Sequence, residues 1–259
     1  MANKKRYIET ERCDTCKGEF LCVNDCVTSF LEVKSIEGHL IASFKERGYC
    51  LDCGHCNAIC PTGAIKGYTY EDNNEFLRFL GMKRTVRKYQ HDKTIPEESM
   101  RLIINAAQSA PTEKNRGTVS ICFIKDQLPA IFLEALEVLK KQVEEVGVMH
   151  PQYKYIMDLY ERKNPVFWGA EYAVLLIGKP QFTTDAAIAA ERMQLMASTL
   201  GVSSGYNGNL KSAINGSESL KEKIGITGEN EVLVSFAMGM SDYEYATPYI
   251  SEKKKVRFL

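Results

Sequence analysis

Residues 50–61 read CLDCGHCNAICP: four cysteines, Cys50, Cys53, Cys56 and Cys60, in eleven positions, with Pro61 directly after the last. The spacing is C-x2-C-x2-C-x3-C-P. Thiols this close along the chain cannot pair sensibly with one another. Three thiolates at intervals of three can instead wrap one inorganic centre in a tight loop. The fourth is then carried away by the start of a helix toward a second centre. A looser group lies upstream: Cys13, Cys16, Cys22 and Cys26, spaced C-x2-C-x5-C-x3-C. It repeats the plan with three extra residues before its third member.

The doubled run predicts a crossed assignment. Cys13, Cys16, Cys22 and Cys60 hold one [4Fe-4S] cluster, and Cys50, Cys53, Cys56 and Cys26 hold another. Zinc is the competing reading, because soft thiolates in fours suit either. Structural zinc sites usually take C-x2-C pairs a dozen or more residues apart, so the C-x2-C-x2-C run favours iron–sulfur. With four cysteines sufficing for each cluster, His55 is expected to orient or solvate rather than ligate.

Eight of the nine cysteines lie between residues 13 and 60, and only Cys122 lies beyond. That shift marks a thiol-dense domain over residues 1–72, a link over 73–82 with a short helix around Glu75–Leu80, and a second domain over 83–259. The first domain is too small for a good core of its own and needs a staple. The 259 residues carry 33 acidic and 33 basic side chains, and this zero net charge speaks against a general nucleic-acid binder. No stretch approaches the apolar length that spans a bilayer. The polar opening MANKKRYIETERC lacks an apolar signal core, so the expected location is cytoplasmic. Thiols there stay reduced, and cross-linking is the wrong default.

The second domain reads as α+β. A helix opens at Thr94–Ile95–Pro96 and places Met100, Ile103, Ile104 and Ala107 on one face. Strands are expected at Val119–Ile124, Tyr172–Ile177 and Val232–Met238. Residues 129–146 form an amphipathic helix ended by Gly147. Thr183–Leu200 is apolar almost all round and predicts a central, buried helix. A shorter helix covers Ser217–Ile224. Cys122 falls on a strand and reads as packing.

One stretch of this domain suits a bound phosphate, and three further features add to it, the last being the basic tail EKKKVRFL. In "MKRTVRKYQHDKTIPEE", residues 82–98, Lys83, Arg84 and Arg87 bracket the hydroxyl of Thr85. "SAPTEKNRG", residues 109–117, is a polar loop carrying Asn115. "GVSSGYNGNL", residues 201–210, follows the central helix as a loop whose glycines let backbone N–H groups approach a ligand. Neither G-x-G-x-x-G nor a P-loop is present.

Taken in this order, these features resemble the FMN-dependent nitroreductase family from about Lys83 onward. The R-[ST]-x-R-x-[FY] opening (Arg84, Thr85, Arg87, Tyr89) is the clearest local mark. The cysteine-rich part resembles bacterial two-cluster ferredoxins over about residues 7–70. Nitroreductase-like proteins with such an N-terminal domain are a recognised variant. The resemblance implies a ferredoxin-like domain followed by an α+β nitroreductase-like domain, and an obligate homodimer with FMN at the interface. It places Lys83, Arg84, Thr85 and Arg87 on the FMN phosphate and ribityl chain. Pro111, Thr112 and Asn115 approach the flavin from the other subunit, and Ser204, Gly205 and Tyr206 lie near the ring. Lys253 is the expected late basic residue on the phosphate. Gly117–Thr118–Val119 departs from the family's usual Gln-Pro-Trp, and the SEKKK tail departs from its usual arginine and proline.

The implied function is an iron–sulfur flavoprotein oxidoreductase. Ferredoxin or another low-potential donor would feed two [4Fe-4S] clusters and FMN, and a nitroaromatic, quinone-like or other conjugated acceptor would be reduced. NAD(P)H as direct donor to the flavin is the alternative, followed by a non-catalytic electron carrier or redox sensor. No catalytic side chain is assigned.

Overall fold

The structure, a computed structural model, describes residues 6–16, 18–67, 74–149, 152–161, 168–249 and 257–258, without the side chain of Leu159. By its contacts the chain falls into two units, Met1–Arg84 with Tyr243–Leu259, and Thr85–Asp242. The break at residues 84 and 85 lies beside the expected one at 83. The C-terminal stretch, however, groups with the first unit and not with the second. Tyr243 shows why: it is 8% exposed and belongs to the same apolar cluster as Cys13, Cys22, Leu31, Ile41 and Ile65. A small core gains a large aromatic side chain from the far end of the chain.

The first unit holds β1 (Tyr7–Ile8), α1 (Thr10–Asp14), α2 (Leu21–Asn24), β2 (Leu31–Ile36), β3 (His39–Phe44), α3 (His55–Ile59), β4 (Ile65–Lys66) and α4 (Glu75–Met82). Strand β1 pairs antiparallel with β4, Ile8 opposite Ile65. Strands β2 and β3 form a hairpin, Leu31 opposite Phe44. Two half-motifs share this frame. Helix α2 follows Phe20 in the left-handed region, and α3 follows Gly54 in the same region. Each helix carries the third cysteine of its group at its second position, Cys22 and Cys56, and leads to the fourth, Cys26 and Cys60. The duplication seen in the cysteine spacing is therefore a duplication of backbone as well. The hairpin was not foreseen, because its alternation is broken by Lys34, Ser35 and Glu37.

The second unit holds α5 (Glu97–Gln108), β5 (Ser120–Ile124), α6 (Leu128–Val146), α7 (Tyr153–Glu161), β6 (Tyr172–Gly178), α8 (Thr183–Thr199), β7 (Ser203–Tyr206), α9 (Gly208–Asn215), α10 (Glu218–Ile224) and β8 (Glu231–Gly239). Its strands form one sheet in the order β5-β6-β8-β7, antiparallel throughout. The central helix α8 is buried as expected. Ala186, Ala190, Met193 and Ala197 are fully inaccessible and share a core with Ile103 of α5 and with Val174, Leu176, Phe236 and Met238 of the sheet. Small alanines let the helix backbone approach the sheet closely, which is how a helix with little amphipathic contrast becomes the middle layer. Residues 203–206, expected as loop, are a strand. Ser204 lies opposite Met238 and Gly205 opposite Ala237, so pairing with β8 overrides the weak local preference of Ser-Ser-Gly. Helices α7 and α9 also went unforeseen. Among the described residues no helix is long and apolar enough to cross a membrane.

Candidate functional site

The eight clustered cysteines line two separate recesses in the first unit. One, of about 300 Å³ including its open mouth, is walled by Cys13, Cys16, Cys22 and Cys60 with Phe20 and Ile65. The other, of about 370 Å³, is walled by Cys26, Cys50, Cys53 and Cys56 with Phe30 and His55. Each recess takes three cysteines from one group and the fourth from the other. All eight are free thiols. Among the described residues no group of three or more His, Cys, Asp or Glu is placed to hold a single metal ion. A tetrahedral ion with bonds of about 2.3 Å would draw its thiolates to within about 4 Å of one another.

Backbone N–H groups are aimed at these sulfurs in a repeated way. Phe30 donates to Cys26 Sγ at 3.2 Å, and Ala64 donates to Cys60 Sγ at 3.3 Å. In both places the donor is four residues on, and a threonine hydroxyl two residues on stands beside the sulfur, Thr28 at 3.7 Å and Thr62 at 3.5 Å. The residue between is left-handed in both, Ser29 (φ 50°) and Gly63 (φ 61°), which turns the following N–H back on the thiol. The peptide N–H of Ala42 also donates to Cys13 Sγ, and that of Asp52 to Cys50 Sγ. Such donors favour thiolate over thiol.

Burial opposes them. Burial, with Cys60 and Cys13 alongside, pushes the Cys22 thiol up to about 12. Burial, then Cys53 and Cys22 beside it, also raises the Cys56 thiol. At Cys60 burial also raises the value, but the Thr62 hydroxyl and nearby N–H groups outweigh it, and the thiol sits below the ordinary range. Four thiolates in either recess call for positive charge among them, since metal ligation is what deprotonates a buried thiol outright. Four cysteine sulfurs lining one recess are a soft donor set of the kind that iron–sulfur or zinc centres take.

His55 is 7% exposed. Its Nδ1 donates to Asp25 Oδ2 at 3.1 Å, and the same oxygen accepts from the Tyr245 hydroxyl at 3.1 Å. It thus belongs to a buried hydrogen-bonded network with Asp25 and Tyr245. Sequence reading missed Asp25 and Tyr245, which lie 220 positions apart.

In the second unit the residues expected around a phosphate-bearing ligand fall into two groups. Thr85 and β7 come together. Val86 N–H donates to the Ser204 carbonyl at 3.1 Å, and a Cβ on Gly205 would stand 2.7 Å from Thr85 Cγ2. Val86 and Tyr89 point inward, and the Tyr89 hydroxyl donates to the carbonyls of Val86 and Ala237. Arg87 stays outside that core, its guanidinium 5.8 Å from the Trp168 ring centroid. It has no carboxylate or carbonyl partner among the described residues. Ser204 is buried and donates to Gln194 Oε1, while the Tyr206 hydroxyl donates to Glu191 Oε2 at 3.0 Å. Burial, then Glu191, raises the Tyr206 phenol well above its ordinary value.

The loop carrying Pro111, Thr112 and Asn115 is exposed and held elsewhere on α8. Asp185 accepts from the Glu113 N–H at 2.8 Å and the Thr118 hydroxyl at 2.5 Å. Arg192 donates to the Ser109 carbonyl and hydroxyl. At 100° per residue, Asp185 and Gln194 lie on opposite faces of the helix and about 13 Å apart along it. Asp185, Glu191, Arg192 and Gln194 were not singled out in the sequence, although their polarity within an otherwise alanine-rich helix was the available signal.

Arg84 lies in the first unit. Its guanidinium donates to the carbonyls of Gly81, Lys83 and Thr247, and it stands 5.5 Å from the Tyr249 ring centroid. Its Nε is buried without an acceptor. Lys83 supplies one of those carbonyls. Lys253 lies outside the described residues. Cys122 is half-buried on β5 opposite Leu175, and burial raises its thiol, in keeping with packing.

Residues 80–240 match the sequence profile described as the Nitroreductase family. The fold is similar to that of an FMN-bound nitroreductase from Bacteroides fragilis, at 19% identity over 72% of this chain and all of that one, with a TM-score of 0.60. An FMN-bound nitroreductase from Desulfitobacterium hafniense matches at 20% identity over 73% of this chain and all of that one, TM-score 0.59. An FMN-dependent nitroreductase from Clostridium difficile matches at 16% identity over 72% of this chain and all of that one, TM-score 0.55.

Proposed function

Because the chain belongs to the nitroreductase family, we propose that it is an FMN-dependent oxidoreductase whose first unit carries two [4Fe-4S] clusters. Electrons come from ferredoxin or another low-potential donor, and the acceptor is a nitroaromatic, quinone-like or otherwise conjugated molecule. The observation that carries the cluster half is the sorting of eight cysteines into two recesses, each with the crossed set of four. The observation that carries the flavin half is the family match over residues 80–240 together with the donor set on residues 83–87.

When bound, the clusters exchange single electrons and FMN exchanges them singly or in pairs, so that chemistry belongs to the cofactors. The chain's part is placement. Cys13, Cys16, Cys22 and Cys60 hold one cluster, and Cys26, Cys50, Cys53 and Cys56 hold the other. The N–H groups of Phe30, Ala42, Asp52 and Ala64 share the charge of the thiolates they face. Arg87, with no carboxylate partner among the described residues, and Thr85 bind the FMN phosphate, with Lys83 and Arg84 the other members of the motif assigned to it. Ser204, Gly205 and Tyr206 line the flavin from β7. The exposed loop with Pro111, Thr112 and Asn115, kept in shape by Asp185 and Arg192, serves the flavin of a second copy, so the working form is a homodimer.

The test is the composition and turnover of anaerobically purified protein. About eight irons, matching sulfide and one FMN per chain are expected, with faster reduction of a nitroaromatic from dithionite-reduced ferredoxin than from NAD(P)H. Colourless protein without releasable FMN would end the reading. Faster turnover from NAD(P)H would replace the donor alone.

A further inference from the structure

The loop that carries Cys50, Cys53 and Cys56 is held in an unfavourable backbone shape. Asp52 (φ 57°) and Gly54 (φ 70°) are both left-handed within five residues. A non-glycine residue there is strained and persists where its surroundings over-determine it. The surroundings come from the C-terminal segment. The Tyr249 hydroxyl donates to the Asp52 carbonyl at 2.6 Å, and its ring lies against the bare Cα of Gly54, where a Cβ would stand 3.0 Å from Cγ and Cδ2. The Tyr249 N–H donates to the Gly81 carbonyl at 3.0 Å, and Arg84 reaches both that ring and the Thr247 carbonyl. Nearby, Tyr245 meets the His55 ring edge-on at 5.3 Å and donates to Asp25, while the Ala246 N–H donates to the Ala58 carbonyl. The segment thus grips the loop before Cys53 and the helix after it.

We propose that Tyr249 is a positioning residue for the centre held by Cys26, Cys50, Cys53 and Cys56, and that residues 243–249 are the staple of that ligand loop. This rests on the cluster reading above. The tyrosine touches no sulfur. It acts through Asp52, whose carbonyl it holds while the residue's own N–H, on the preceding peptide, faces Cys50 Sγ at 3.3 Å, and through Gly54, which sets the direction of α3 and of Cys56. Loss of the hydroxyl therefore alters the hydrogen bonding of one cluster's ligands, a known determinant of reduction potential. Loss of the ring also frees the loop.

The experiment uses the anaerobic holoenzyme and two variants, Tyr249→Phe and Tyr249→Ala. Each is followed by redox titration with electron paramagnetic resonance, by timed iron loss in air, and by FMN content. Parent protein without iron and sulfide overturns the cluster reading itself, and this inference with it. With iron present in the parent, Tyr249→Phe is expected to shift one of the two cluster signals in potential while the other, iron and FMN stay at parental values. Tyr249→Ala is expected to lose about half its iron several-fold faster than the parent. Unchanged potentials and unchanged iron loss in both variants overturn the proposal. Equal shifts of both signals in Tyr249→Phe overturn it too, because they mark general loosening. If Tyr249→Ala fails to fold, the Phe variant alone decides.

Discussion

Gly205 lies directly against Thr85: a Cβ added to the glycine would stand 2.7 Å from Thr85 Cγ2 and 3.0 Å from the Val86 carbonyl oxygen. The seam between the Arg-Thr-Val-Arg segment and β7 is closed so tightly that no side chain fits between. Gly205→Ala is expected to force β7 and the Thr85–Val86 segment apart at a cost of about 1–3 kcal/mol, the usual range for overpacking. A lower melting temperature with earlier release of FMN fluorescence on heating would show it. Unchanged melting would mean that the segment yields freely.

Arg87 is the guanidinium of the opening motif with no carboxylate or carbonyl partner among the described residues. Arg87→Ala is expected to weaken FMN binding by about 10-fold to 100-fold, the equivalent of about 1.5–3 kcal/mol for a charge-assisted hydrogen bond. Iron content should stay at the parental level. Equilibrium dialysis of FMN beside an iron assay separates the two, and undiminished FMN affinity would remove Arg87 from the phosphate site.

The crossed assignment makes a pairing rule for cysteine variants. Cys26→Ala and Cys56→Ala should disturb the same cluster, and Cys13→Ala and Cys60→Ala the other. Each variant is expected to lose about half the iron and keep FMN. Resonance spectra that group Cys26→Ala with Cys13→Ala would refute the crossing.

Asp185 fastens the 109–117 loop as an acceptor only. The Thr118 hydroxyl and the Glu113 N–H hold its carboxyl below the ordinary aspartate value. A depressed value in the folded state gives a contribution present above the unfolded-state value and lost as pH falls through the folded one. Loop order is thus expected to be constant at neutral pH and to decline only below about pH 4. Asp185→Asn should produce the same loosening at pH 7, read as faster amide exchange at Glu113.

Much of the cysteine unit was legible because its information is local. Cys26-Val27-Thr28 and Cys60-Pro61-Thr62 announce the same turn twice, and the left-handed Ser29 and Gly63 complete it. The central helix was equally legible from the run of alanines between Ala186 and Ala197. Strand β7 was not, because Ser203–Tyr206 is a strand only by virtue of β8 beside it. Nor was the place of Arg84: the motif suggests an anion, whereas its guanidinium is occupied by three carbonyls and lies near a tyrosine ring.

By itself the sequence determined which cysteines group together, the α+β character of the second unit and the family opening at Arg84–Tyr89, because each is written in spacings of a few residues that backbone geometry converts directly into shape. Only the tertiary structure decided that Tyr243, Tyr245 and Tyr249 complete the cysteine unit and that Gly205 meets Thr85. Those contacts join residues more than a hundred positions apart, and nothing in the local chemistry of either partner specifies the other.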